Sequence, residues 1–476
     1  MPAAQQAASQ LPLRAIGCGV LILISLCAVG LFWWLLRTDP LIERVVSEAN
    51  AFEGAVHPRP AHVTPPTPGT FAQAVEPLLP EVFKLPEPEP DTVPRPEGDD
   101  DVASEAWSRA FTALGEQCRE VAAGLAPLET MPPPCRRELE EGREIMRRVL
   151  AATRAEKGGL PAGAGSLSRD NSYDYPSGMH ALSRMVQLAA LESRMLLAAG
   201  RSGEAVDTCL DALALSRELG LGGGLHGGKL SASAQELAYR PCAAALDAAL
   251  VERKRQAIEQ LAWLWEGLPA FSSLLREESV FHQLSTFGPD FFPLEALPRL
   301  PPAGRTLIAG RGGWFYFPSR IGHPLLRQYL WRRNSSLFDA MALKADLPPD
   351  ERRRAFAQLA TGYSFLADYP GAVSAMEYHR EMAALDTQRL QAAVLVALVQ
   401  VDISRAEQGR WPAALPGSAE QLLRLEVLSG EEAWLVPRDI ALKGYAPRLT
   451  ADGALGEPSP GQRDSLNRHD AGSHGD

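Results

Sequence analysis

Residues 191–219 read LESRMLLAAGRSGEAVDTCLDALALSREL. Apolar side chains recur at spacings of three and four on both sides of Gly200-Arg201-Ser202-Gly203, as they do on one face of a helix. The glycine-bracketed tetrapeptide is a turn, so the stretch is expected to form two antiparallel helices packed as a hairpin. The same periodicity extends outward. Ser104 can cap a helix reaching residue 125, and Pro132 to Pro134 open another to about residue 157. Further helices are expected over 178–199, 203–219, 228–268, 271–287, 324–347, 349–368 and 371–385, with a kink or break at Pro241. Strand-like alternation is nearly absent before residue 430. The fold class implied is mainly α, with an irregular helical-hairpin array over residues 103–385.

At 476 residues and 46% hydrophobic content, the chain can bury one large or two ordinary cores. A formal net charge of −11 argues against a nucleic-acid partner, because phosphate binding needs clustered basic residues. The densest basic run, Arg253-Lys254-Arg255, reads as a solvated helix face.

Residues 15–36, AIGCGVLILISLCAVGLFWWLL, carry no charge and span about 33 Å as a helix, the thickness of a bilayer core. Arg14 and Arg37 bracket the run, and Trp33 and Trp34 suit the headgroup region. A cleaved leader would be shorter and end on small residues. The expected N-terminal transmembrane helix is therefore a signal anchor. The flanking arginines barely decide its direction. The short tail 1–14, free of acidic residues, is placed in the cytoplasm, and the large C-terminal part outside it. Two of the six cysteines, Cys18 and Cys27, belong to the anchor. The other four, Cys118 with Cys135 and Cys209 with Cys242, flank helix connections and suit disulfides in an oxidising compartment. Four buried free thiols fit the sequence equally well.

Residues 37–102 are expected to form a juxtamembrane segment and a Pro-rich linker. Residues 41–55 can prolong the anchor helix, while HPRPAHVTPPTPGT (57–70) and PLLPEVFKLPEPEPDTVPRPEGDDD (77–101) read as an extended spacer holding the domain off the bilayer. At the other end, Asp386 is expected to cap a strongly apolar helix ending at Gly409. Leu390, Val394, Leu398 and Val401 fall on one stripe, and Gln400 and Asp402 interrupt it too soon for a second membrane span, so it reads as a buried core helix. With the adjoining Gly409-Arg410-Trp411-Pro412-Ala413-Ala414-Leu415 it forms a small C-terminal helix-plus-loop module, 386–456, before a disordered tail, 457–476.

Three resemblances attach to these residues. The hairpin at 191–219 resembles one tetratricopeptide-type unit. The apolar helix followed by G-x-[YW]-P-x-x-L is similar to the region after the long helix of type II secretion major pseudopilins, which implies a secretion-apparatus component. It also resembles the end of a group of uncharacterised single-pass bacterial membrane proteins with helical ectodomains. The matching positions are Arg389, Gly409, Trp411, Pro412 and Leu415, with Glu277 in LLREESVF as a further match to the second group.

Chemistry is sparsely signalled. In GLGGGLHGGKLS, Gly222, Gly224 and Gly227 satisfy G-x-G-x-x-G. Gly223, Gly228 and Lys229 approach a P-loop, but Leu230 stands where Ser or Thr is needed. A helix precedes this stretch rather than a strand, so it reads as a helix–helix loop. His469, Asp470, His474 and Asp476 lie in the tail, and Asp99 to Asp101 read as charge at a helix start. His180, His226, His282, His323 and His379 lack HExxH spacing, and no serine sits in G-x-S-x-G. No catalytic residue, cofactor or metal is assigned. Phe291, Phe292 and the run Trp314-Phe315-Tyr316-Phe317 either pack under the helices or face a partner or bilayer, which makes Trp314 to Phe317 candidate partner contacts. The function expected is a membrane-tethered helical scaffold or protein-interaction module in the bacterial periplasm, anchored in the inner membrane through residues 15–36. The alternatives are an envelope hydrolase assembled from distant residues and the secretion-apparatus component.

Overall fold

A computed structural model describes residues 25–26, 39–52, 57–58, 66–91, 101–161, 164, 178–311, 324–363, 374–415, 419–430, 432–438 and 448–450. Among these residues, twelve helices of ten residues or more carry the fold, in keeping with a mainly α class. They are α1 Asp39–Phe52, α2 Asp101–Ala122, α3 Pro133–Ala152, α4 Gly178–Ala198, α5 Ser202–Gly220, α6 Gly224–Asp247, α7 Val251–Glu266, α8 Phe271–Thr286, α9 Pro302–Arg311, α10 Pro324–Ala345, α11 Pro349–Gly362 and α12 Ala375–Gln408. The hairpin expected at 191–219 is α4 and α5. Gly200, at φ +75°, turns the chain left-handed. The Arg201 N–H then reaches the Leu196 carbonyl and the Gly200 N–H that of Leu197, closing the helix end that a glycine makes cheap. Across the hairpin the Ser193 hydroxyl donates to the Ala205 carbonyl at 2.9 Å.

Apolar side chains collect into three clusters. The largest joins α2 to α7, the C-terminal half of α12 and residues 71–82. A second holds α1, the end of α8, α9 and Trp331 of α10. A third takes the starts of α6, α8 and α12 together with the end of α10 and Phe356 of α11. Four helices therefore pass from one cluster to the next, α10 among them with Trp331 in the second and Phe338 in the third. Phe271, Leu274 and Leu275 of α8 belong to the third cluster, while Val280, Phe281 and Leu284 belong to the second. Helices α6 and α12 similarly link the third cluster to the first.

Two small sheets complete the described structure. In the first, β1 (His57–Pro58) pairs antiparallel with β3 (Ala155–Gly158), which pairs in parallel with β2 (Thr67–Thr70). The helix expected to run to residue 157 therefore stops at Ala152. In the second, β4 (Leu423–Val427), β5 (Glu432–Pro437) and β6 (Arg448–Thr450) form an antiparallel ladder with Leu425 opposite Leu435. The segment after α12 thus contains a sheet as well as a loop.

Several expectations are corrected. Much of residues 37–102 is folded rather than an extended spacer. Helix α1 buries Ile42, Val45, Val46 and Ala49 at helical spacing, and Phe71, Val75, Leu78, Leu79 and Val82 enter the main core. Pro77 and Pro80 occupy first-turn positions of short helical turns, where a missing N–H costs nothing, so they start helix instead of blocking it. Helix α6 runs through Pro241 unbroken and ends at Asp247. Asp386 is not a cap. The segment expected as two helices is the single α12, capped by Ser374, so the boundary drawn at residue 386 falls inside a helix. Among the described residues α12 is also the one helix long and apolar enough to cross a membrane, yet most of it is buried within the protein. The expected span 15–36 lies outside the described residues except for Ser25 and Leu26, which are helical.

Cys118 of α2 is bonded to Cys135 of α3, and Cys209 of α5 to Cys242 of α6, with Cα separations of 5.7 and 5.1 Å. All four are fully buried. The bonds close sequence separations of 17 and 33 residues, for which chain entropy gives about 3 and about 4 kcal/mol respectively. Cys209→Ala with Cys242→Ala is expected to lower the unfolding free energy by about 4 kcal/mol in urea titrations without reductant. An unchanged midpoint would show that these sulfurs are unbonded in the native protein.

Candidate functional site

The glycine-rich stretch 220–228 forms the junction between α5 and α6. Gly222 and Gly224 have φ of +83° and +61°, so the chain reverses within three residues. A Cβ on Gly223 or Gly227 would stand 2.3 or 2.4 Å from the Leu219 carbonyl oxygen, with the Met179 sulfur close behind. Only glycine permits α4, α5 and α6 to meet this closely. The first amides of α6 thereby become buried, and a buried helix start needs acceptors. Glu277 of α8 supplies one. Its Oε2 accepts the Gly224 N–H at 2.8 Å, in the position an anion would take in a phosphate-binding loop. The glycine motif is therefore a close-packed helix junction filled by the chain's own carboxyl group.

Glu277 is only 4% exposed. Burial pushes its carboxyl up to about 8, the nearby Glu278 charge adds to the effect, and the Gly224 amide opposes it. The group is consequently held neutral at pH 7. Nearby, Lys229 Nζ binds Glu381 Oε1 at 3.1 Å, and burial raises the Glu381 carboxyl.

Glu277 belongs to a set of buried polar residues near the points where α6, α8, α10 and α12 pass from one apolar cluster to another. On α8 the set comprises Glu277, Glu278 and Ser279. On α12 it comprises Asp386 and Gln388, on α6 Ser231 and Gln235, and on α10 Asn334 and Ser335. Gln388 Nε2 donates to Ser231 Oγ at 2.7 Å, and Gln235 Nε2 to the Gln388 carbonyl at 2.6 Å. The buried Arg352 of α11 pairs with Asp386. Phe271 lies under two guanidinium groups, those of Arg352 at 4.6 Å and Arg389 at 3.8 Å. Gln283 accepts from Trp331 Nε1 at 3.0 Å and donates to Ser279 Oγ at 2.8 Å. These bonds tie α6, α8, α10, α11 and α12 at fixed heights.

The other residues singled out in the sequence fall into place around this frame. The His180 and His226 rings lie 5.4 Å apart beside the glycine junction, and burial lowers the His180 imidazole. His282 meets Asn334 Nδ2 at 3.3 Å, and His379 packs on Phe356. Arg253 and Arg255 pair with Asp207 and Glu407 on the surface. Lys254 is buried and binds Asp402 Oδ2 at 2.7 Å, so this basic run is not wholly a solvated face. Gly409, at φ +67°, ends α12. Trp411 packs under Arg405 and donates to the Ser429 carbonyl, and Leu415 is buried. Arg389 donates to the Pro269 carbonyl. Phe291 and Phe292 pack on Trp331, the inward alternative for that aromatic pair. Trp314 to Phe317, His323, Asp99, Asp100 and the tail residues His469, Asp470, His474 and Asp476 lie outside the described residues. Among the described residues, no group of three or more His, Cys, Asp or Glu is placed to hold a metal.

No family model, curated protein or solved structure matches the chain.

An enclosed carboxyl with a backbone amide on one oxygen acts as a hydrogen-bonding plug between α6 and α8. Sequence reading missed Glu278, Glu381, Arg352, Gln388, Ser231 and Gln235. The one available signal was the polar run Arg276-Glu277-Glu278-Ser279, set between the apolar pairs Leu274-Leu275 and Val280-Phe281.

The titration of Glu277 makes stability depend on pH. The folded protein keeps its proton up to about pH 8, whereas the unfolded chain releases it near 4.5. Between these values the folded state binds more protons, so stability falls as pH rises and levels off above about 8. Glu277→Gln keeps the acceptor for Gly224 and removes the titration. Wild type is expected to lose stability relative to this variant by up to about 1.4 kcal/mol per pH unit across that window. Parallel profiles in chemical denaturation would contradict the assignment. Glu236, which burial lifts to about 7, titrates in both proteins and cancels in the difference.

Proposed function

We propose that the protein is a membrane-tethered helical scaffold, held by a transmembrane helix at residues 15–36, that binds protein partners outside the cytoplasm. The observation that carries this reading is the pair of disulfides stapling consecutive helices, α2 to α3 and α5 to α6. Such bonds persist in oxidising compartments, and for a single-pass bacterial protein of the inner membrane that compartment is the periplasm. Stacked helical hairpins present broad, rigid surfaces, which suits recognition of other proteins.

The ionisable groups of the core favour a scaffold over a hydrolase. Glu277 bonds the Gly224 amide, Asp386 pairs with Arg352 and Asp402 with Lys254, so these groups serve the packing of helices. The buried state of Trp411 and Leu415 tells against a C-terminal end that polymerises through those residues.

Two experiments test the proposal. Alkaline phosphatase fused after Arg95 is expected to be active, and an inactive fusion in a well-expressed protein would reverse the topology. Affinity capture of the full-length protein from cross-linked membranes is expected to enrich the same envelope protein in repeat preparations. A hydrolytic activity lost in a folded Glu277→Gln variant would replace the scaffold with the enzyme.

A further inference from the structure

Helix α1 is fastened along its whole length. Ile42, Val45, Val46 and Ala49 are buried among Val280, Phe281, Leu284 and Leu307. Arg44 makes a two-pronged ion pair with Asp339 of α10, Glu43 pairs with Arg299, and Asn50 Nδ2 donates to the Arg299 carbonyl at 2.8 Å. These partners lie 249 to 295 residues away in sequence, so α1 is part of the domain's wall.

Covalent geometry then limits where this wall can be. Three peptide units separate Leu36, the last residue of the apolar run, from Asp39, the first of α1, and consecutive Cα atoms are about 3.8 Å apart. Asp39 therefore lies within about 11 Å of the end of the apolar run, in or just beyond the headgroup layer of about 5–8 Å. Glu43 comes one helical turn later, about 6 Å along the axis. Arg299, bound to Glu43, closes the turn 293–300, and on that turn Leu294 is 81% exposed. A large exposed leucine on a turn followed by the exposed Arg305 of α9 is chemistry that suits a lipid interface, where the apolar side chain enters and a cation meets phosphate.

We propose that the face formed by α1, the turn 293–300 and α9 rests directly on the lipid headgroups of the membrane holding residues 15–36, with Leu294 entering the interface. This rests on the reading of residues 15–36 as the anchor. The domain is then seated in one orientation on the bilayer instead of swinging on a spacer. Two other large exposed leucines, Leu250 in the α6–α7 turn and Leu428 in the β4–β5 turn, lie on elements outside this face and serve as comparison positions. Neither element contributes to the cluster around α1.

The test uses the full-length protein in vesicles of phosphatidylethanolamine and phosphatidylglycerol. A photoreactive benzophenone side chain is placed at position Leu294, Leu250 or Leu428, and lipid adducts are counted by mass spectrometry after irradiation. In parallel the vesicles are washed with alkaline carbonate. The expected result is protein that stays in the pellet and adducts at position 294 several-fold above those at 250 and 428. Retained protein with no excess at position 294 would overturn the seated face and leave the anchor standing. Release by carbonate would overturn both.

Discussion

A carboxyl group and a backbone amide meet where α5 gives way to α6, and much of the fold depends on that meeting. Gly223 and Gly227 let the start of α6 press against the Leu219 carbonyl. This close approach buries amides that a helix start cannot satisfy by itself. Glu277 must then come from α8, 53 residues on, and must stay neutral to be tolerated there. A polar residue is thus required in the middle of a core helix, and its neighbours Glu278 and Ser279 continue the polarity. Apolar faces alone would allow α8 to slide along α6. The bonds of Gly224 with Glu277, Ser231 with Gln388 and Arg352 with Asp386 set the heights of four helices together.

The hairpin at 191–219, α8 and the apolar half of α12 could be read from sequence because apolar residues recur throughout each and glycine or proline marks an end. The features that escaped depended on distant partners. Ala155–Gly158 has no strand pattern, and its extended form is set by pairing with residues 57–58 and 67–70. Asp386 reads as a cap in sequence because an acidic residue before an apolar run usually is one. Its true place inside α12 is fixed by Arg352, which sequence does not bring near. Proline was misjudged for a related reason. Its cost depends on whether the missing N–H would have been used, and at Pro77 and Pro80 it would not. The candidate site was the least legible part. Glu277 could be noticed, but the amide it serves, the glycines that create the need and the neutral state of the carboxyl emerge only in three dimensions.

Two apolar segments differ in the charge they carry. Residues 15–36 contain none at all, which is the composition the proposed lipid environment would demand. Helix α12 carries Asp386, Arg389 and Asp402, and each meets a group suited to it: Arg352, the Pro269 carbonyl with the Phe271 ring, and Lys254. A helix so furnished is matched to a protein interior. The same distinction explains α1. With Arg44 on Asp339 and Glu43 on Arg299, its charges have been assigned to the domain, while its N-terminus comes after an apolar run by only two intervening residues. Under the proposed anchor, α1 is where a segment suited to lipid hands over to one suited to protein. Helix α1 packs on Val280, Phe281 and Leu284 of α8, and α8 in turn reaches the helix junction at Gly224 through Glu277.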